Sequence, residues 1–304
     1  MSRIVLIGGS GFIGQNMVRS LRGRIETVVY DMREPSLEKP DIYVAGDLDD
    51  TEKIEGSVQN GDVVFHLVHS TTPAESNQAP GEDLSTNLFR FIRLLEVLAR
   101  RKIDRLIYSS SGGTVYGDPA EIPIPESAPL WPVSSYGIVK MTMERYLRIF
   151  QHRERLDYII VRISNPYGPY QENSNRHGAV PAIMRALKNS EPFTIYGDGE
   201  TVRDYIHIDD VCRALVGLYK SSARNLIFNI GTGKGTSLNQ LISKIERISG
   251  LKLERIYKPI RGSDLGLNVL DTSSIREALD WRPAIPLDQG LLQTWEYWCG
   301  LERY

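Results

Sequence analysis

The strongest constraint on the fold lies in the first fourteen residues of this 304-residue chain, where the apolar run Ile4–Ile7 breaks into Gly8-Gly9-Ser10-Gly11-Phe12-Ile13-Gly14. A strand that stops at such a loop and restarts as a helix over Ile13–Leu21 turns tightly. It presents bare backbone to a pyrophosphate and packs its helix closely on the strand. The amides at the start of that helix, around Phe12 and Ile13, then point at the anion. The spacing is G-x-x-G-x-x-G rather than G-x-G-x-x-G, and a glycine triplet alone would also suit an ordinary tight turn. Its position between strand and helix favours a dinucleotide, as does Asp31, 17 residues beyond Gly14 at the end of the run Thr27–Tyr30. A carboxylate there accepts bonds from both ribose hydroxyls and repels a 2′-phosphate, which points to NAD rather than NADP. Arg33 acts in the opposite sense. Asp47 and Leu48, after a third apolar run, are expected to flank the adenine.

Apolar runs at Arg3–Ile7, Thr27–Tyr30, Ile42–Ala45, Val63–Leu67, Arg105–Ser109 and Tyr158–Arg162 read as strands. Helical patterns over Ile13–Leu21, Asp83–Arg100 and Tyr136–Phe150 separate them, an alternation that predicts an α/β fold with a doubly wound parallel sheet. After Arg162 the chain is rich in Asn, Pro, Gly and Tyr. Short patterns follow: a helix at Val180–Leu187, a strand at Phe193–Tyr196, a helix at Asp209–Tyr219 and a strand at Leu226–Ile230. We therefore expect a dinucleotide-binding domain over 1–165, with a return segment at about 206–231. A smaller, discontinuous C-terminal α/β substrate-binding lobe would be built from 166–205 and 232–304.

A formal net charge of −2 argues against a nucleic-acid partner, because no net basic field draws in phosphate backbones. Cys212 and Cys299 are far apart and the five histidines share no ligand-like spacing, so neither a disulfide framework nor a metal site is expected. The start of the chain lacks a signal-peptide pattern, and no apolar stretch approaches the roughly 18 residues of a membrane span. A cytoplasmic protein with no membrane partner is the expectation.

The sharpest chemical feature is Tyr136-Gly137-Ile138-Val139-Lys140. Four residues apart on a helix, phenol and ammonium share one face. A neighbouring cation favours the phenolate and lowers the phenol pKa from its usual ~10. Tyrosine can then take or return the proton of a sugar hydroxyl while hydride moves to or from NAD, and the lysine can also hold the nicotinamide ribose.

With GGSGFIG, SSSGGTVYG, SYGIVK, RISNPYGP and GDGETVRDYIHIDD, the chain resembles the extended short-chain dehydrogenase/reductases over nearly its whole length. Within them it is most similar to the UDP-glucose 4-epimerase branch of nucleotide-sugar enzymes. The resemblance implies an NAD-binding Rossmann fold, Tyr136 as base and Lys140 as its partner. It also implies a Ser or Thr after the fifth strand that bonds the sugar oxygen. Ser111, 25 residues before Tyr136, is the expected donor, with Ser110 and Thr114 as alternatives because Gly112-Gly113 departs from the family pattern. Asn87 and Asn165 match family asparagines, the first supporting the site and the second meeting the substrate. Arg203 and Arg261 match the pair that grips the nucleotide diphosphate, a task suited to guanidinium forks. Tyr205 and His207 are expected to support the fold. Asn268, seven residues after Arg261, stands where a bulky side chain restricts the sugar pocket. Its presence implies tolerance of an N-acetyl or carboxylate substituent, without ranking hexosamine against uronic acid.

The implied reaction is C4 epimerisation of a UDP-sugar through a 4-keto intermediate. A nucleotide-sugar reductase or dehydrogenase with net redox is the alternative. A 4,6-dehydratase is disfavoured, since its Asp-Glu pair is replaced by Gly113 and Thr114. Related enzymes pair two helices across a homodimer, here Asp83–Arg100 and Tyr136–Phe150, through apolar residues such as Phe89, Leu95, Ile138 and Met141.

Overall fold

The structure is a computed structural model that describes residues 3–171, 178–259 and 266–300. The first half of the chain alternates strand and helix. In order come β1 (Ile4–Ile7), α1 (Phe12–Leu21), β2 (Thr27–Asp31), β3 (Ile42–Ala45), α2 (Thr51–Ser57) and β4 (Val63–His66). Next are two short helices, α3 (Pro73–Gln78) and α4 (Pro80–Asp83). A π-helical turn over Leu84–Phe89 leads into α5 (Arg90–Arg101), followed by β5 (Arg105–Ser111), α6 (Ser135–Glu154) and β6 (Tyr158–Ile163). The remainder comprises β7 (Asn165–Tyr167), α7 (Ala179–Asn189), β8 (Phe193–Tyr196), β9 (Val202–His207), α8 (Ile208–Lys220) and β10 (Leu226–Ile230). After these come β11 (Gly235–Ser237), α9 (Leu238–Ser249), β12 (Arg255–Lys258), β13 (Leu267–Asn268), α10 (Ser273–Leu279) and α11 (Leu287–Trp298).

Seven parallel strands form the main sheet in the order β10-β6-β5-β4-β1-β2-β3. Alternate side chains of each central strand face opposite sides, and both sides are buried. Ile4, Leu6 and Val29 pack with Met17 and Leu21 of α1 and with Val211 and Leu215 of α8. Val5, Ile7 and Val28 pack with Ile54 of α2, Leu94 and Leu98 of α5, and Val139 and Met143 of α6. The sheet reverses direction between β1 and β4, the switch point at which the strand ends of an open α/β sheet leave a crevice.

The helix expected over Asp83–Arg100 is interrupted. Across the π turn, Asn87 donates from Nδ2 to the Asp83 carbonyl (3.1 Å) and carboxylate (3.0 Å). Its Oδ1 accepts from the backbone N of Ser70 at 2.9 Å, which fastens the loop after β4.

A smaller sheet orders β11-β9-β13, with β7 also paired to β9. A third core of Val180, Ile183 and Leu187 of α7, Leu241 and Ile245 of α9, and Leu291 and Trp295 of α11 lies among the C-terminal elements. Between these regions α8 and β10 return to the main sheet, where β10 pairs with β6 from Leu226↔Ile159 to Ile230↔Ile163.

Candidate active site

The glycine loop divides by what each glycine must accommodate. Gly8 has a φ of +82°, and a Cβ there would sit 2.8 Å from Val68. At Gly14 a Cβ would lie 2.4 Å from the Gly9 carbonyl oxygen, so α1 packs on the loop only because this position is bare. Gly11 differs: its Cβ would meet only the Gly8 carbonyl oxygen, at 3.4 Å. Packing does not require glycine there, whereas the approach of a ligand from outside does. Gly11 is also the N-cap of α1 and contributes no side-chain cap, and the first turn carries no acid. The amides around Phe12 and Ile13 are therefore available to an anion. A pyrophosphate suits this cradle.

Asp31 ends β2 and braces the loop, its carboxylate accepting from Ser10 N at 3.0 Å and Arg33 N at 3.2 Å. Ser10 in turn donates from Oγ to the Arg33 carbonyl, which fixes the Asp31 carboxylate beside the glycine loop. Asp47 and Leu48 follow β3. The Tyr30 hydroxyl donates to the Asp47 carbonyl (2.7 Å), the Asp47 carboxylate faces Arg90 at 3.4 Å, and Leu48 packs on the second core.

Tyr136 and Lys140 occupy the first two turns of α6, whose start is held by Ser134 at the N-cap. The Lys140 ammonium is buried, donates to the Ser109 carbonyl at 2.8 Å, and lies 5.7 Å from the Tyr136 ring centroid. Burial pushes its pKa down to about 7, against the pull of the Glu144 and Asp83 carboxylates. The sequence expectation of a lowered phenol pKa is not what the protein alone supplies. Burial raises the Tyr136 phenol above its ordinary value, and the Asp83 charge raises it further.

Three residues absent from the sequence reading complete this environment. Glu144, one turn beyond Lys140, binds Arg162 through two contacts, at 2.7 and 3.1 Å, and accepts from Ser110 Oγ at 2.6 Å. Its i, i+4 spacing from Lys140 was a signal that could have been followed. Asp83 is wholly buried and faces His69, whose ring lies edge-on to Tyr136 with centroids 4.4 Å apart. No local sequence pattern links the last two.

The turn after β5 separates the candidate hydroxyls. Ser110 is committed to Glu144. Ser111 Oγ lies 4.0 Å, and Asn165 Oδ1 3.9 Å, from the point a Cβ of Gly113 would occupy, so the two side chains converge on this glycine. Thr114 Oγ1 is buried without a hydrogen-bond partner. Gly112 has its own explanation: a Cβ there would stand 2.5 Å from Leu270.

On the smaller sheet, strand register places Asn165 beside Tyr205, and Arg203 beside Asn268, so these residues share one face. Arg203 also donates to the Val202 carbonyl. Asn268 is wholly buried, donates from Nδ2 to the Gly112 carbonyl at 3.0 Å, and leaves Oδ1 without a partner. Arg261 lies outside the described residues. His207 accepts from Asp209 N as the N-cap of α8 and packs edge-on against Tyr167, a supporting arrangement. Among the described residues no group of His, Cys, Asp or Glu could hold a metal ion, and no helix is long and apolar enough to cross a membrane.

A model of the NAD dependent epimerase/dehydratase family matches residues 4–231. A UDP-glucose 4-epimerase from Mycolicibacterium smegmatis is 30% identical, over 97% of this chain and 98% of its own. A dTDP-4-dehydro-6-deoxyglucose reductase from Escherichia coli is 31% identical, over 95% of each. The crystal structure of the UDP-glucose 4-epimerase from Thermotoga maritima, with UDP-glucose, superposes with a TM-score of 0.91 at 35% identity. That match covers 99% of this chain and 100% of the other.

Proposed function

The chain belongs to the NAD-dependent epimerase/dehydratase family, and from that premise we propose that it inverts C4 of a UDP-sugar through a transient 4-keto sugar. The observation that carries this reading is the Tyr136–Lys140 pair on α6, with the buried Lys140 ammonium bonded to Ser109 of β5 and 5.7 Å from the Tyr136 ring centroid. Bound NAD would supply the acceptor, and then the donor, for the C4 hydride. Around that exchange the chain manages one proton: the Tyr136 phenolate takes it from the C4 hydroxyl and gives it back once the sugar presents its other face. Ser111, with Thr114 as the remaining alternative, donates to the sugar oxygen. Asp31 holds the adenosine ribose, and the amides at the start of α1 hold the pyrophosphate. Lys140 enters the site poorly solvated, so it gains most from a nearby anion such as the phenolate.

We place sugar-nucleotide binding in the lobe made from 166–205 and 232–304, with Asn165, Arg203 and Asn268 on the shared face of its sheet. Arg261 is proposed as the second diphosphate ligand from the family likeness alone. Asn268 spends one N–H on Gly112 and keeps a second N–H beside its unpartnered Oδ1, so its amide suits an N-acetyl group, a hydroxyl or a carboxylate. The substrate is therefore proposed as a UDP-hexose, a UDP-N-acetylhexosamine or a UDP-uronate.

We also propose a homodimer through the outer faces of α5 and α6, where Phe89 (58% exposed) and Ile138 (45%) face solvent. Leu95 cannot serve it, being fully buried in the monomer core. The likeness to a dTDP-sugar reductase supports a second reading, net reduction of a keto-sugar with exchange of cofactor at each turnover.

The test is to incubate purified protein with UDP-glucose, UDP-N-acetylglucosamine and UDP-glucuronate, no cofactor added, and to separate products by C4 configuration. Conversion of one of the three, lost in Tyr136→Phe, is expected. Stoichiometric appearance or consumption of NADH without inversion would establish the reductase instead.

A further inference from the structure

Beside the proposed base stands a carboxylate–imidazole contact, Asp83 with His69, that the proton transfer described above does not use. Asp83 is fully buried at the end of α4, and four groups converge on its carboxylate. Thr71 Oγ1 lies at 2.5 Å, Ser135 Oγ at 2.8 Å, Asn87 Nδ2 at 3.0 Å and His69 Nε2 at 3.4 Å. Ser135 precedes Tyr136, and the backbone N of Tyr136 is itself tied to Ser76 Oγ at 3.0 Å. The His69 ring also meets the Tyr136 ring, with centroids 4.4 Å apart and an interplanar angle of 64°. One imidazole therefore touches both the carboxylate and the phenol ring.

An isolated carboxylate in this place would oppose the chemistry, because it disfavours a phenolate close by. A protonated imidazole in contact with both reverses that effect. We propose that His69, kept protonated by Asp83, is a positioning residue for Tyr136: it screens the buried carboxylate and sets a positive charge beside the phenolate. The assignment rests on Tyr136 acting as the base. Burial would push the Asp83 carboxyl up, yet its bonds from His69, Thr71 and Ser135 hold it at about 2, so it is an anion throughout the working range. The other titratable groups near the pair are Lys140 and Glu144 on α6, His66 on β4 and Tyr108 on β5. His66 is no substitute cation, since burial and then the Lys140 charge push its pKa well down.

The experiment measures kcat against pH for the NAD-bound protein as wild type, His69→Leu, His69→Gln and His69→Leu/Asp83→Asn. Tyrosinate absorbance is titrated in parallel, each variant referenced to the same protein carrying Tyr136→Phe. Both single variants are expected to move the acid limb of the profile, and the Tyr136 titration, upward by about one pH unit. Activity at neutral pH then falls about tenfold, the change equivalent to one pH unit, while KM holds. Removing the carboxylate as well is expected to return the limb toward wild type. A packing role alone moves neither titration. An unmoved limb in the variants that fold, or a shift that Asp83→Asn fails to reverse, overturns the proposal. The absorbance titration needs no substrate, so it remains decisive if the protein proves not to be an epimerase.

Discussion

Ser110 and Ser111 are neighbours in the chain with different tasks. Ser110 donates to a buried carboxylate that also binds Arg162, so Ser110→Ala leaves part of Glu144 unsatisfied and is expected to destabilise by about 1–3 kcal/mol. Ser111→Ala is expected to keep the denaturation midpoint within about 0.5 kcal/mol and to lower kcat at least tenfold, as loss of an oxyanion donor does. Denaturant titration paired with kinetics of both variants checks this. Asp83 carries the clearest pH signature. Its folded pKa of about 2 lies below the ordinary 3.8, so the unfolded chain binds its proton first as pH falls. Its contribution is therefore complete above about pH 4 and disappears toward pH 2, amounting to about 2 kcal/mol. Asp83→Asn should flatten the loss of thermal stability across that window and leave the slope near neutrality unchanged. At this scale the spacing of Tyr136 and Lys140 was legible because a helix converts four residues into one face. The His69–Asp83 contact was not, because the loop after β4 and the π turn create it and neither has a periodic signature.

Apolar runs bounded by turn residues located the strands of the main sheet closely: β3 and β10 span the ranges read from the sequence, and β5 extends two residues further to include Ser111. Runs buried on both faces leave little choice but a central strand. Helix α5 was harder, since a π turn shifts the phase of a buried face without breaking its apolar pattern. The glycine loop offers a prediction at this scale, because helix packing and ligand approach are separable there. In Gly14→Ala the new methyl meets backbone at 2.4 Å, so α1 must move off β1. The expected cost is about 3 kcal/mol, with bound NAD lost. In Gly11→Ala the N-cap keeps an extended backbone (φ −78°, ψ 179°) that alanine adopts freely, and stability should change by less than ~1 kcal/mol. Retained NAD should nonetheless fall sharply, because the methyl occupies the anion's side of the loop. Calorimetry with quantitation of co-purified NAD separates the two, and equal stability losses would refute this division of the glycines.

The molecule works only if the smaller sheet stays registered against the crevice of the larger one, and two buried carboxylates of the GDGETVRDYIHIDD segment maintain that register. Asp210 on α8 accepts from Ala284 N and Ile285 N, tying the chain before α11 to a helix packed on the main sheet. Asp204 on β9 accepts from Thr232 N at 2.9 Å, Thr232 Oγ1 at 2.5 Å and Gly233 N at 3.1 Å, just beyond β10. Both aspartates were visible in the sequence, yet sequence reasoning valued the segment for Arg203. The partners of Asp204 lie 28 and 29 residues away, so only the folded chain reveals them. Asp204→Ala should leave two partly buried amides without their carboxylate partner, costing about 1–3 kcal/mol, while the glycine loop, Asp31 and Tyr136 remain in place. The expected result is a protein that still co-purifies with NAD, unfolds at lower temperature, and shows a raised KM for its UDP-sugar with a smaller change in kcat. If Asp204→Ala instead loses NAD and sugar affinity in proportion, the two sheets do not respond separately, and the crevice must be treated as one cooperative unit.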